Sequence, residues 1–414
     1  MPKKKSSLSQ KKLSLETSGF YSDFSKPDTL YAALIRSPAS SGKIKSIVLP
    51  NIPEGYYLFN ANDFPGEKNL TVNKTSHKIF GYDNVGYSGE PIGILLGPDE
   101  NKVYELLANV SVNFDIESLE SALKNVMRHQ KRTVVPLSKL SDKDTSSDFS
   151  SFLSEINDLP SLDAVLDKNH IEENTEEIVA TREIKSGLYK EMSVEKADAE
   201  LFVENENQIV STDTWEQKLS DPSWQETNGA FVYYENSKLH IYAPTRWTSF
   251  TLKTVSESLK ISPENIIIHK TKSIGVFSRG LWRTTQIITQ VALAAYLTKK
   301  PVKLIFTQQE QDVYMIPGVK TKITYKTVME KTGRIKGLKA DIDIDVGAYN
   351  PFAQEIVDRI SLAACNYYQF DNVCIQAQAS TSKTPPSSIC MKSIDSQAFF
   401  SIENQIQRLK TKRN

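Results

Sequence analysis

The chain has 414 residues, 39% of them hydrophobic and 24% charged, an ordinary balance for a protein that buries cores, and its length predicts two or three domains. Fifty lysines and arginines cancel fifty aspartates and glutamates, so no net field draws it to nucleic acid or to a membrane. No apolar run approaches the roughly 20 residues that span a bilayer. No apolar stretch follows the N-terminal lysines as a secretory signal requires, and the chain is expected to be cytoplasmic.

Residues 1–14 carry Lys3, Lys4, Lys5, Lys11 and Lys12 among serines and read as a disordered basic tail. With neither arginines nor aromatics between them, these lysines fit a solvated tail better than a nucleic-acid arm. The apolar run 30–35 and the alternating run 43–49 predict two strands around a turn at Ser37 and Pro38. Gly89, Glu90 and Pro91 lead into 92–96, a short buried strand, after which Pro98, Asp99 and Glu100 open a helix to Leu107, and 110–114 alternates again. This mixed pattern is assigned to one domain, 15–136. From 137 to 177 the composition shifts to serine, aspartate, glutamate and asparagine, a mobile linker or insertion, although Leu153, Ile156 and Leu159 also fit a short docking turn.

The next region, 178–414, is read as a second domain. It contains a hairpin of alternating strands (231–234 and 239–243), and a helix marked by Trp247, Phe250, Thr254, Val255 and Leu259 that stops at Ser262 and Pro263. A buried β-branched strand follows at 266–268. Ile287, Ile288, Val291, Leu293, Ala294, Ala295 and Leu297 make a helix apolar on most sides, ended by Lys299, Lys300 and Pro301. Then come a strand at 302–306 and a hairpin of 322–329 with 335–345 around the turn 331–334. At the C-terminus, Phe399, Phe400, Ile402, Ile406 and Leu409 recur at helical spacing before Lys410, Lys412 and Arg413. Part of this stripe is expected to pack at home and the rest to dock a partner or a second copy. The fold class predicted is α+β.

Cys365, Cys374 and Cys390 are too widely spaced for a disulfide framework or an iron–sulfur set, and His77, His129, His170, His240 and His269 have no second histidine or carboxylate at metal-ligand spacing. No metal ligand and no catalytic residue is assigned.

An ordered set of motifs resembles one family. In the first region these are 31–38 (YAALIRSP), 43–47 (KIKSI) and 89–93 (GEPIG). In the second they are 239–246 (LHIYAPTR), 275–277 (GVF), 292–298 (ALAAYLT), 301–303 (PVK) and 345–349 (DVGAY). The chain resembles the front half of the molybdenum-binding subunit of the xanthine dehydrogenase and aldehyde oxidase family. That resemblance implies an αβ hammerhead domain followed by a first molybdopterin-binding domain, and a molybdenum–molybdopterin cofactor. The partners implied are a second molybdopterin-binding half and iron–sulfur and flavin subunits; homo-oligomers are a further expectation.

The family turn that approaches the pterin is glycine-rich, because backbone amides must come close at unusual angles. Here it corresponds to Ile274, Gly275, Val276, Phe277, Ser278, Arg279 and Gly280, whose two β-branched residues crowd that approach. Gly275 and Ser278 are the cofactor-binding candidates on this turn. Arg246 stands where the family has a glutamine beside the metal's oxo ligand; it either holds an anionic group or pairs with a surface carboxylate. Phe277 matches a substrate-stacking aromatic or fills a core. Arg359 matches an arginine that anchors substrate in purine-oxidising members, or forms a salt bridge with Asp358 or Glu355. The second cradling turn corresponds to Met391, Lys392, Ser393 and Ile394, and Leu281 replaces a substrate-binding glutamate. The family's general base lies in the half absent from this sequence. The chain is therefore expected to be inactive alone, a partial subunit acting in a complex or a degenerate paralogue.

Overall fold

In the computed structural model the described residues are 19–49, 51–115, 177–218, 227–269, 271–272, 282–315, 318–387 and 394–413. The expected tail, all of the polar segment but Glu177, the 273–281 turn, Cys390 and 391–393 lie outside them.

Strand β1 (Leu30–Arg36) is apolar along nearly its whole length because it is interior to a sheet and covered on both sides. The first region continues with β2 (Gly42–Val48), β3 (Tyr57–Asn60), β4 (Asn69–Val72), β5 (Thr75–Lys78), β6 (Asn84–Val85), β7 (Pro91–Gly97), α1 (Glu100–Leu107) and β8 (Ser111–Phe114). Every residue of β7 is buried, and the Asp99 carboxylate caps α1 by accepting from Lys102 N, so both sequence expectations hold. The β4–β5 hairpin, which the sequence reading missed, turns through Asn73 and Lys74, both at positive φ (47° and 66°).

After residue 177 the chain forms β9 (Ile178–Ser186), α2 (Leu188–Glu191), α3 (Val194–Leu201), β10 (Gln208–Lys218), β11 (Gly229–Glu235), β12 (Lys238–Tyr242), α4 (Thr248–Leu259), β13 (Ile266–His269) and α5 (Arg283–Thr298). It ends with β14 (Val302–Ile305), α6 (Gln308–Tyr314), β15 (Lys320–Glu330), β16 (Ile335–Asp345), α7 (Ala353–Ala363), β17 (Asn372–Ser380) and α8 (Ile394–Arg413).

The main sheet runs β13-β12-β11-β14-β1-β7-β3. Strands from the first region (30–97) and from the second (229–305) thus share one sheet, joined where β1 pairs in parallel with β14, Leu30 opposite Val302 and Ala32 opposite Leu304. Hydrogen bonding across this seam leaves no surface between the two regions there. A second sheet, β10-β15-β16-β17-β9, carries α7 and α8, and a smaller one runs β6-β2-β8.

Two strands differ from their sequence reading. Residues 229–233 of β11 are buried on both faces rather than alternately, because α5 covers one side and aromatic rings the other. β13 lies at the sheet edge, so only Ile266 of its isoleucines is fully buried.

Helix α5 is buried from Arg283 to Ala295, which explains its weak polarity contrast, and it ends at Lys299 in the left-handed conformation (φ 55°). On α8, Ile402, Ile406 and Leu409 pack at home while Phe400 is 53% exposed. Cys365 and Cys374 are free, and burial pushes both thiols up to about 11, which favours the thiol over the nucleophilic thiolate.

Candidate functional site

Three breaks in the described chain, 273–281, 316–317 and 388–393, have flanks that meet at one side chain. Arg283, the first residue of α5, donates from Nη1 to the Tyr314 carbonyl at 2.6 Å and to the Pro386 carbonyl at 3.0 Å. Residues 274–280 and 391–393, which the family resemblance assigns to the cofactor, fall within two of these breaks. Arg283 is 2% exposed, and its Nε has no hydrogen-bond partner. A cation at a helix N-terminus opposes the helix dipole, and burial lowers its pKa, so its position is maintained by the carbonyls it ties.

The strip 345–350 braces the same place. Asn350 Nδ2 donates to Ser387 Oγ (2.8 Å) and to Val346 O (3.1 Å), while Ser387 N donates to Val346 O and Ala348 N to Thr384 O. Tyr349 takes positive φ (52°) and packs on Gly86, where a Cβ would collide with its ring.

From the first region, Arg36, His77, Tyr87 and Glu90 join the cluster. Arg36 lies over the Tyr314 ring at 3.8 Å and donates Nη1 to Gly89 O, yet its buried Nε and Nη2 have no partner. Burial pulls its guanidinium down to about 10, with Arg283 among the smaller contributors. His77 packs against Trp282 with ring centroids 4.2 Å apart and planes tilted by 32°, and both its ring nitrogens are buried and unpartnered; burial, then Arg283, lowers it to about 4, so the ring is neutral at neutral pH. Glu90 accepts from Gly86 N at 2.7 Å, and burial raises its carboxyl. The Gln286 and Gln290 amides of α5 hold this wall by donating to Lys78 O (2.8 Å) and Ile79 O (2.6 Å).

Two arginines with unfilled buried donors and one raised carboxyl make a cluster suited to an anionic group. Among the described residues no set of three histidine, cysteine or acidic side chains could hold a metal, and no helix is long and apolar enough to cross a membrane.

The sequence candidates fall differently. Gly275, Phe277 and Ser278 lie outside the described residues. Arg246 is exposed between β12 and α4. Arg359 is bound by Glu355 (3.3 Å) and Asp395 (3.4 Å), the salt-bridge alternative, while Asp358 is taken by Arg182 (3.3 Å) instead. Sequence reasoning missed Arg36, His77 and Arg283. One signal was available: Arg283, Thr284, Thr285, Gln286, Thr289 and Gln290 are polar residues opening a helix whose remainder is apolar on most sides, and buried polar groups need assigned partners.

The family model described as molybdopterin cofactor-binding domain matches residues 181–413. The chain belongs to this family, that of xanthine dehydrogenase and aldehyde oxidase.

It is 21% identical over 379 residues to the nicotinate dehydrogenase large molybdopterin subunit of Eubacterium barkeri, covering 90% of this chain and 76% of that one. It is 21% identical over 397 residues to xanthine dehydrogenase 1 of Arabidopsis thaliana, covering 94% of this chain and 25% of the relative. Among solved structures, the aldehyde oxidoreductase of Desulfovibrio gigas superposes with a TM-score of 0.60 at 15% identity, over 90% of this chain and 38% of that one. CO dehydrogenase of Oligotropha carboxidovorans superposes at 0.62 and 13%, over 95% and 47%. The chain thus spans less than half the length of these solved relatives, and they establish its fold.

Proposed function

We propose that this chain supplies the first molybdopterin-binding half of a molybdenum hydroxylase in the cytoplasm, is inactive by itself, and works once a second molybdopterin-binding half and iron–sulfur and flavin proteins join it. The carrying observation is the convergence of the turn flanks on Arg283, beside unfilled cationic donors of Arg36. Those donors fit the anionic character of molybdopterin. When bound, that group supplies the redox chemistry of hydroxylation; the residues of this chain hold its anionic side and shape the wall around it.

Ile274 and Val276 replace close-approach glycines, and the Met391 segment lacks them too. This chain alone is therefore expected to carry no stoichiometric molybdenum. Elemental analysis of the purified chain tests this, together with mass spectrometry of proteins that co-purify from the native host. Substoichiometric molybdenum alone, and stoichiometric molybdenum in a heteromeric complex, is the expected result. One molybdenum per isolated chain refutes the dependence on a second half. The engagement of Arg359 by Glu355 and Asp395 favours a second reading, a non-catalytic paralogue that keeps the fold as a structural or interaction protein. A native complex without molybdenum would support it.

A further inference from the structure

Parallel pairing of β12 with β13 sets Tyr242 opposite His269 and His240 opposite Ile267. Across this pair His240 Nδ1 and His269 Nε2 lie 2.9 Å apart. The ring planes differ by 15° while their centroids are 5.2 Å apart, so the imidazoles lie end to end and one N–H points into the other's lone pair. The bond requires one proton between two nitrogens, whichever ring donates it.

Tyrosine rings floor the pair. Tyr233 lies flat on His240 at 4.6 Å and Tyr242 on His269 at 4.2 Å. The charged groups around it are Glu235 on β11, Lys238 on β12, and Lys26 from the N-terminal segment. Lys26 covers Tyr233 at 3.9 Å and pairs with Glu235 at 2.6 Å. Burial holds both imidazoles below the ordinary value of 6.5; for His240, Glu235 opposes this while Lys26 and Lys238 reinforce it, and for His269, His240 reinforces it.

Among the described residues β13 is a four-residue edge strand, bonded along one side only, to β12. We propose that the His240–His269 pair is a proton-sensitive tether for this strand. With one shared proton it fastens β13 to β12; protons on both inner nitrogens set N–H against N–H and release it. Its effect on cofactor binding rests on the function proposed above, whereas the tether itself does not. Because both groups are depressed, the stabilisation is complete above the unfolded histidine value and is lost as pH falls through the folded values.

Hydrogen exchange of the full chain at about pH 7.5 and about pH 5, corrected for intrinsic rates, tests the tether without any cofactor. Protection of the peptide 262–272 is expected to fall roughly tenfold in the native chain, and to show no such step in His269→Gln, whose amide does not take up a proton. An unchanged native profile, or a step of equal size in the variant, overturns the proposal. If the variant fails to fold, histidine NMR titration of the native chain decides. Two coupled steps at separated pH values support the tether, and two independent steps near the ordinary value refute it. Molybdenum binding plays no part in either measurement, so failure of the functional reading leaves both results interpretable.

Discussion

Replacing Arg283 with methionine keeps most of the side-chain volume and removes the guanidinium that ties Tyr314 O to Pro386 O. Each bond from a charged donor is worth about 1.5–3 kcal/mol, and with Arg283 only 2% exposed no water replaces it, so two orphaned carbonyls cost about 4 kcal/mol. Relief of the buried cation and of its clash with the helix dipole returns about 1 kcal/mol. The net expectation is a loss of about 3 kcal/mol, read as a lower urea midpoint with an unchanged slope. Hydrogen exchange should localise the loss to peptides covering 310–315 and 382–387. Arg283→Lys, which retains charge without the planar fork, should fall between the variant and the native chain. A loss below about 1 kcal/mol with those peptides unchanged would refute the view that Arg283 gathers the turn flanks.

His77 is neutral and buried at about 4 against an ordinary 6.5, so its contribution is complete above the ordinary value and lost as pH falls between the two. That difference corresponds to about 3 kcal/mol, and His77→Phe, which keeps an aromatic ring against Trp282, should flatten the acid limb of a stability-against-pH curve. On α8, Ile406→Asp should cost about 3 kcal/mol or more because Ile406 is 2% exposed, whereas Phe400→Asp should change the melting temperature little, since Phe400 is 53% exposed. If Phe400 belongs to an interface between copies or with a partner, sedimentation will show a concentration-dependent mass that Phe400→Asp abolishes.

Elements whose pattern is set by local burial were legible along the chain: the all-buried β7, the Asp99 cap of α1, the β15–β16 hairpin and the apolar stripe of α8 each follow from residue type and period. The ordered motifs likewise carried the family resemblance, because their residue types and order can be read along the chain. What the sequence could not decide were juxtapositions made by long-range pairing. β1 meets β14 across more than half the chain, which merges strands of both regions in one sheet. Parallel register brings His240 to His269 although neither has a histidine at ligand spacing. Arg36, His77 and Arg283 converge from three separate stretches; no periodicity records such a meeting, since it is fixed by the sheet order and by the backbone carbonyls a buried cation must satisfy.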